Sequence, residues 1–495
     1  MLTQAPGRYS PLIRIVLRAA AVLLAALTIL IISALVVIRV WVWPSVPQWR
    51  GDLLASAQSA AAQQELLLEA GELTADWEHW YRPRLRLDNV RLLRADGQSV
   101  GTVDRVEATL GLSSLASLWH GQPIFSEIRL ANPFALIERS ASGALKVAGV
   151  VVGSGAANPG QVNAVFRQGR WRVDGGRVQW RDQLRGQSID LTDVVFAMNN
   201  FGHRHAWALR GTPPAALGEG FVLQGDFRHA WFSDPSAFQE WRGEAFVQFD
   251  RVDLSELFRV VHLPEQAPLK VNSGQGALRA WVQLHANALE DLTVDLDLTD
   301  ASLQWGPTRR PLTLQQLQGR VQTRLTAQRQ EVALSALTLR SAQLSEVTTI
   351  ASAQMVLEKA GESGLSAQIT SKNLDLVAAM WLAEHLPLPA QWKSTLTELK
   401  PRGRLRDLEL KWQESEDALT AFRVQTAFDE LALAPGKQRP GFRNLSGKFS
   451  ARDDGGELTL KSTGASLSFP GVFAQDTVQA DRLEAQVSWT ATRLL

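Results

Sequence analysis

Leu292–Leu298 reads LTVDLDL, with leucine or valine at every second position and threonine or aspartate between. Successive side chains of an extended strand point to opposite faces, so Leu292, Val294, Leu296 and Leu298 share one face and Thr293, Asp295 and Asp297 the other. A segment with one apolar and one wetted face reads as an antiparallel strand. The alternation returns at Val332 and Leu334, then Leu337 and Leu339, at Leu458 and Leu460, and from Leu483 through Ala485 and Val487 to Trp489. Upstream it begins with Leu85, Leu87 and Val90, and Asn89–Leu110 reads as strand, turn at Asp96-Gly97, strand.

Around these strands lies a long internal repeat. FVQFDRVDLSELFRVVHL (Phe246–Leu263) and AQITSKNLDLVAAMWLAEHL (Ala367–Leu386) are each a strand, an Asp-Leu opening a short amphipathic helix, and an end at Leu-Pro; Asp253 and Asp375 are 122 residues apart. Gly276 and Gly403, each opening a Gly-x-Leu-Arg, follow at an offset of 127, and Gly319 and Gly447 at 128. Strand, basic turn and strand recur in Leu303–Val321 and Leu431–Phe449, with a degenerate earlier copy in Val178–Phe196. Landmarks in one order at a nearly constant offset predict a repeated multi-strand module whose copies stack. Val150–Gly160, rich in small residues, predicts a boundary or flexible loop.

The N-terminal end reads differently. Ala19–Ile38 is a run of 20 residues without a charge, and at 1.5 Å per residue it spans about 30 Å, the thickness of a bilayer core. It is too long for the apolar region of a cleaved signal, so a retained anchor is expected. Trp41 and Trp43 read as an interfacial belt, and Pro44 and Pro47 as helix breakers. Arg8, Arg14 and Arg18 before the run, against Arg39 and Arg50 after it, favour a cytoplasmic N-terminus. A short helix is expected over about Gly51–Glu69.

Composition limits the chemistry. The 495 residues carry 51 Lys plus Arg against 50 Asp plus Glu, and this balance offers no basic face to nucleic acid. The absence of cysteine excludes disulfides, thiolate metal sites and a cysteine nucleophile. Of the eight histidines only His203 and His205 are close in sequence, and with no third ligand near them a loop or surface role is expected. No nucleophile elbow, zinc-protease motif, phosphate-cradling loop or dinucleotide fingerprint occurs, so no enzyme and no cofactor are expected. The 17 tryptophans, among them Trp180, Trp305 and Trp489 at ends of alternating runs, read as strand-end packing.

SLASLWHGQPIFSEIRLANPFALIERSASGALKVAG (Ser114–Gly149) resembles the N-terminal region of the AsmA-like superfamily of envelope proteins. The anchor, the Leu-Pro helix, Pro401–Leu405 and Asn444–Gly447 resemble its YhdP branch more specifically, although YhdP-type chains usually run well beyond the length reached here at Leu495. The resemblance implies a mainly β protein: an N-terminal transmembrane helix followed by a long, curled, mostly antiparallel β-sheet groove with a few short amphipathic helices. It implies an inner-membrane anchor with the bulk in the periplasm, and phospholipid acyl chains carried in the groove toward the outer membrane. Outer-membrane or envelope proteins at the far end are the implied partners. The expected divisions are a cytoplasmic tail (1–18), the membrane helix (19–43), an N-terminal β region (44–149), a degenerate first repeat (150–240), a full repeat (241–366) and a repeat cut short at its end (367–495). Leu292, Val294, Leu296, Leu298, Val332, Leu334, Leu458 and Leu460 are the candidate groove lining. Two other classes share parts of this pattern: an envelope structural or assembly factor whose own side chains fill the groove, and an envelope enzyme or polysaccharide binder. The latter would need a polar cleft for which no residues stand out.

Overall fold

The computed structural model describes residues 22–490 apart from 31, 34–35, 80–81, 112–113, 115–116, 118–123, 153–158, 261–268, 287, 307–309, 345, 361–363, 387–389, 416–417, 437–438 and 471–476. The chain is mainly β: 24 strands and a few short helices are formed among these residues. It divides into two compact units, Met1–Gly202 and His203–Leu495.

In the first unit an α-helix, Arg50–Ala62, leads into strands. It is shorter than expected, because Leu66–Glu69 leaves it to pair antiparallel with Arg82–Arg94. The hairpin read around Asp96-Gly97 is present: Arg82–Arg94 pairs with Ser99–Thr109, and Gly97 takes a φ of 82° in the turn. Pairing here is not purely antiparallel. Glu127–Ala131 and Phe134–Arg139, parted by Asn132-Pro133, both run parallel to Arg170–Asp182. Parallel neighbours need a crossover, and it includes the helix Pro159–Arg167; of the segment expected as a boundary or loop, Val150–Val152 is a strand, 153–158 lie outside the described residues, and the helix begins at its end. The Glu138-Arg139 pair ties the crossing strands together: Glu138 meets Arg94 and Arg181, and Arg139 meets Asp182.

Residues 22–30 are helical with exposed apolar side chains, among them Leu23, Leu24 and Leu30. No helix among the described residues is long and apolar enough to cross a membrane. The tail expected at 1–18, and residues 19–21, 31 and 34–35 of the expected span, lie outside the described residues. Two expectations at its end are corrected. Pro44 and Pro47 do not break the helical path but sit within a 3-10 helix, Trp43–Trp49, that runs into Arg50–Ala62; proline's fixed φ suits a helical turn, and its missing N–H costs least in an opening one. Trp43 is not an interfacial ring but is buried, donating its indole N–H to the Asp76 carbonyl at 2.7 Å and meeting Trp77 edge-on.

The second unit is an antiparallel meander of 14 strands, from Arg204–Thr212 to Thr477–Thr490, each paired with the next. The repeat landmarks take matching local forms. Asp253 and Asp375 cap the helices Leu254–Val260 and Leu376–His385, their carboxylates accepting from the amides of Ser255 and Glu256 and of Val377 and Ala378. Gly276, Gly319 and Gly403 all adopt positive φ, and at Gly447 a neighbouring backbone presses as closely as at Gly276. A further helix, Ala390–Leu399, was not expected.

One end of this meander carries the helical connections; at the other lie tight turns such as 326–328 and 453–454. Between the ends, six neighbouring strand pairs slip register at bulges: near Arg251, Gly274, Ala336, Asp407, Glu430 and Asn444. Asp300, Ala336, Asp407, Glu430 and Asn444 take left-handed φ of 51°, 48°, 47°, 52° and 56° there. From strand to strand these irregularities stay within a few residues of one ladder level. A bulge bends its strand and sharpens its twist, so where the bulges occur the band is a crease between a helix-side and a turn-side half.

Candidate functional site

The helix-side half is covered. Leu314 and Leu339 are almost fully buried there, Leu254 of its helix lies over Gly274, and Trp381 of the second helix donates to Gln343 Oε1 at 2.7 Å.

The turn-side half has a different lining. Directly opposed residues share a face, so one row can be followed across every strand of the unit. It runs from Trp207 through Gly225, Ala245 and Val282 to Leu292, and on through Thr323 to Val332. It continues through Met355, Ile369, Leu410, Val424 and Ala451 to Gly456 and Trp489. None of these is charged. Each end is a tryptophan laid over a glycine: a Cβ on Gly225 would meet the Trp207 ring at 2.6 Å, and one on Gly456 the Trp489 ring at 2.3 Å. The adjacent row on the opposite face includes Asp226, Glu244, Asp291, Arg324, Glu331, Lys411, Arg423 and Arg452. Ion pairs join that outer face strand to strand, among them Arg320–Asp295 and Arg324–Asp291. The Arg320 guanidinium, hydrogen-bonded to Asp295, holds that carboxyl below the usual carboxylate range against the opposing effect of burial.

All eight candidate residues fall on the uncharged face. Leu292 reaches Val332 through Thr323, and Val294 reaches Leu334 through Val321. Leu458 and Leu460 pair with Phe449 and Gly447, and pack against the buried cluster of Phe428, Leu445 and Ala465. Leu298 alone is buried, at 1% exposure, at the level of the crease, between Gly276 and the buried Leu317 on its two neighbouring strands. The other seven are half-buried, and Met355, opposite Val332, is 39% exposed. This wall is therefore apolar yet only partly covered by protein. Met355 and Ile369 belong to it although no clean alternation marks them, because Ser352, Ala353 and Ser371 interrupt the pattern; Leu410 belongs to it from an alternating stretch, Leu408–Trp412, not singled out above.

The histidines differ in part from expectation. His203 lies in the turn before Arg204–Thr212, but His205 is not on the surface: it is 1% exposed and stacks against Trp241 at 4.9 Å and against His229 at 5.3 Å, a third histidine brought in by the fold. Burial, followed by the charges of His229 and His203, pushes His205 down to about 4. The rings stack and do not converge, and no group of three metal-binding side chains occurs among the described residues.

A family model described as YhdP protein matches residues 1–494. No curated protein and no solved structure matches the chain.

Proposed function

The chain belongs to the YhdP family of AsmA-like envelope proteins, and from that premise we propose that it is an inner-membrane-anchored, periplasmic, bridge-like lipid transfer protein. In this reading the uncharged face of His203–Leu495 is a groove that shelters phospholipid acyl chains on the way toward the outer membrane. The apolar run at 19–38 is the anchor, and outer-membrane or envelope proteins receive the lipid. No catalytic step is part of the reading.

One observation supports it above the others: an uncharged row crosses 14 strands with most of its side chains half-exposed, while the charges lie on the other face. Apolar surface left open to water is costly, and each methylene of an acyl chain laid against such a wall gains up to about 0.8 kcal/mol. Phosphate and glycerol can remain in water at the mouth, so the groove needs no polar site of its own. Lipid mass spectrometry of the full chain extracted in mild detergent tests this. Phospholipid is expected to co-purify, and a photoreactive residue at Met355 should cross-link to it while one at Gln354, on the outer face, should not. Lipid-free protein with no cross-link at Met355 would favour a structural or assembly role in the envelope.

A further inference from the structure

Arg228 and Arg242 stand directly opposite one another on neighbouring strands, with Arg204 opposite Arg228 and His285 opposite Arg242. Like charges at directly opposed positions repel. Arg204 is answered by Asp226, whose oxygens accept from Nε at 2.9 and 3.1 Å, and His285 faces Glu290 at 3.7 Å. Among the described residues neither Arg228 nor Arg242 makes an ion pair. Both line an outer-face cavity of about 370 Å³, together with Asp226, which Arg204 holds, Glu244, and Glu290, which faces His285. Neither guanidinium is tied to one of these carboxylates by a direct ion pair, so both can turn to a phosphate.

The same two arginines are the stem of the connection 229–241, which is long where the turns 326–328 and 453–454 at that end are tight. Its tip presents Trp231 at 68% exposure and Phe232 at 102%. Phe232 holds a φ of 68°, a conformation a bulky residue adopts only under constraint. The constraint is visible below it: His229 Nδ1 lies 2.9 Å from the Ala230 carbonyl and 3.0 Å from Ser233 Oγ, and Asp234 Oδ1 accepts from the amide and hydroxyl of Ser236. Under the loop His229 and Trp241 pack about His205. The rings are thus held outward in advance of any partner.

We propose that this loop docks on a phospholipid bilayer, Trp231 and Phe232 entering the boundary between headgroups and acyl chains while Arg228 and Arg242 take lipid phosphates. Two aromatic side chains bury about 300–500 Å², below the roughly 800 Å² per partner of a stable protein interface, whereas a bilayer accepts a two-ring wedge of this kind. Guanidinium is suited to phosphate by its paired donors. The proposal goes beyond lipid carriage, and its test does not read lipid in the groove.

The chain has no cysteine, so Ala230→Cys gives a single site for an environment-sensitive fluorophore beside the tip. The full chain is held in phosphatidylcholine–phosphatidylglycerol nanodiscs and mixed with vesicles of the same lipids, nitroxide lipid being placed in one or the other. Quenching at position 230 is expected in at least one arm, with none from a label at Asp96→Cys. Trp231→Ser with Phe232→Ser should abolish it. Arg228→Gln with Arg242→Gln should weaken it roughly 30-fold, about fivefold per arginine. No quenching in either arm, equal quenching at position 96, or quenching that survives the aromatic or the arginine replacements overturns the proposal.

Discussion

Gly276 and Asp297 approach so closely across their strands that a Cβ on the glycine would stand 2.0 Å from the Asp297 carbonyl oxygen. Gly276 also holds a φ of 149°. Gly276→Ala must therefore push a backbone aside at the crease, and we expect a loss of about 3 kcal/mol or more in denaturant unfolding of the extracted chain. Gly97→Ala, at φ 82° with nothing within 4 Å, meets only the left-handed penalty of roughly 1–2 kcal/mol. Equal losses would mean that the close approach is not what requires glycine.

Leu296 and Leu298 share a face but not an environment, and aspartate at each should separate the covered stretch of the strand from the open one. Leu298→Asp buries an unpaired carboxylate, at a cost of several kcal/mol, about 3 or more, so the protein should lose protease resistance. Leu296→Asp leaves the charge partly hydrated, and the protein should fold but lose co-purified lipid. Asp295→Asn, on the outer face, gives up an exposed ion pair worth about 1 kcal/mol at most and should leave lipid unchanged. Misfolding of Leu296→Asp would indicate that protein, not lipid, fills that half.

Asp375 accepts from two amides at the opening of Leu376–His385, at 2.8 and 3.0 Å. Asp375→Ala should cost about 1 kcal/mol, while Asp375→Asn or Asp375→Ser should recover most of it. Thermal melts of the three variants check this; three equal melts would deny the cap its role.

His205 is expected to make stability fall with acid. Its folded value, lowered to about 4, lies beneath the ordinary 6.5, so between those limits the unfolded chain binds the extra proton. Stability is then fully present above about pH 6.5 and is lost as pH falls toward 4, by on the order of 2–3 kcal/mol. His205→Phe, which keeps a ring against Trp241 and His229, should flatten the unfolding profile over that window. An unchanged slope would assign the acid sensitivity elsewhere.

The period-2 signal at Leu292–Leu298 located a strand and its apolar face because alternation depends only on local geometry. Asp253 and Asp375 were likewise legible, since an N-cap is a local hydrogen-bonding need. The crease was not. Asp300 and Asn444 are ordinary left-handed residues, but Ala336 and Glu430 have no side-chain mark of that conformation, and a bulge is defined only against its partner strand. The same holds for the row from Trp207 to Trp489, whose continuity rests on register between distant segments, and for the parallel pairing of Glu127–Ala131 with Arg170–Asp182. Trp43 followed the apolar run in sequence, yet Asp76 and Trp77, which hold it, come from a later strand.

The crease has a consequence for how such a sheet changes size. Because the bulges of six strand pairs between Arg242–Asp253 and Gly455–Ser468 lie at nearly the same level, the bend met on walking across that part of the His203–Leu495 unit is set within the strands, not by how many strands there are. Gain or loss of a whole hairpin, bulge included, would lengthen or shorten the sheet without altering the bend of its strands, whereas insertion of one residue on the wrong side of a bulge would offset the bend and turn an apolar position outward. Length is therefore a free variable of this architecture and the bend a fixed one.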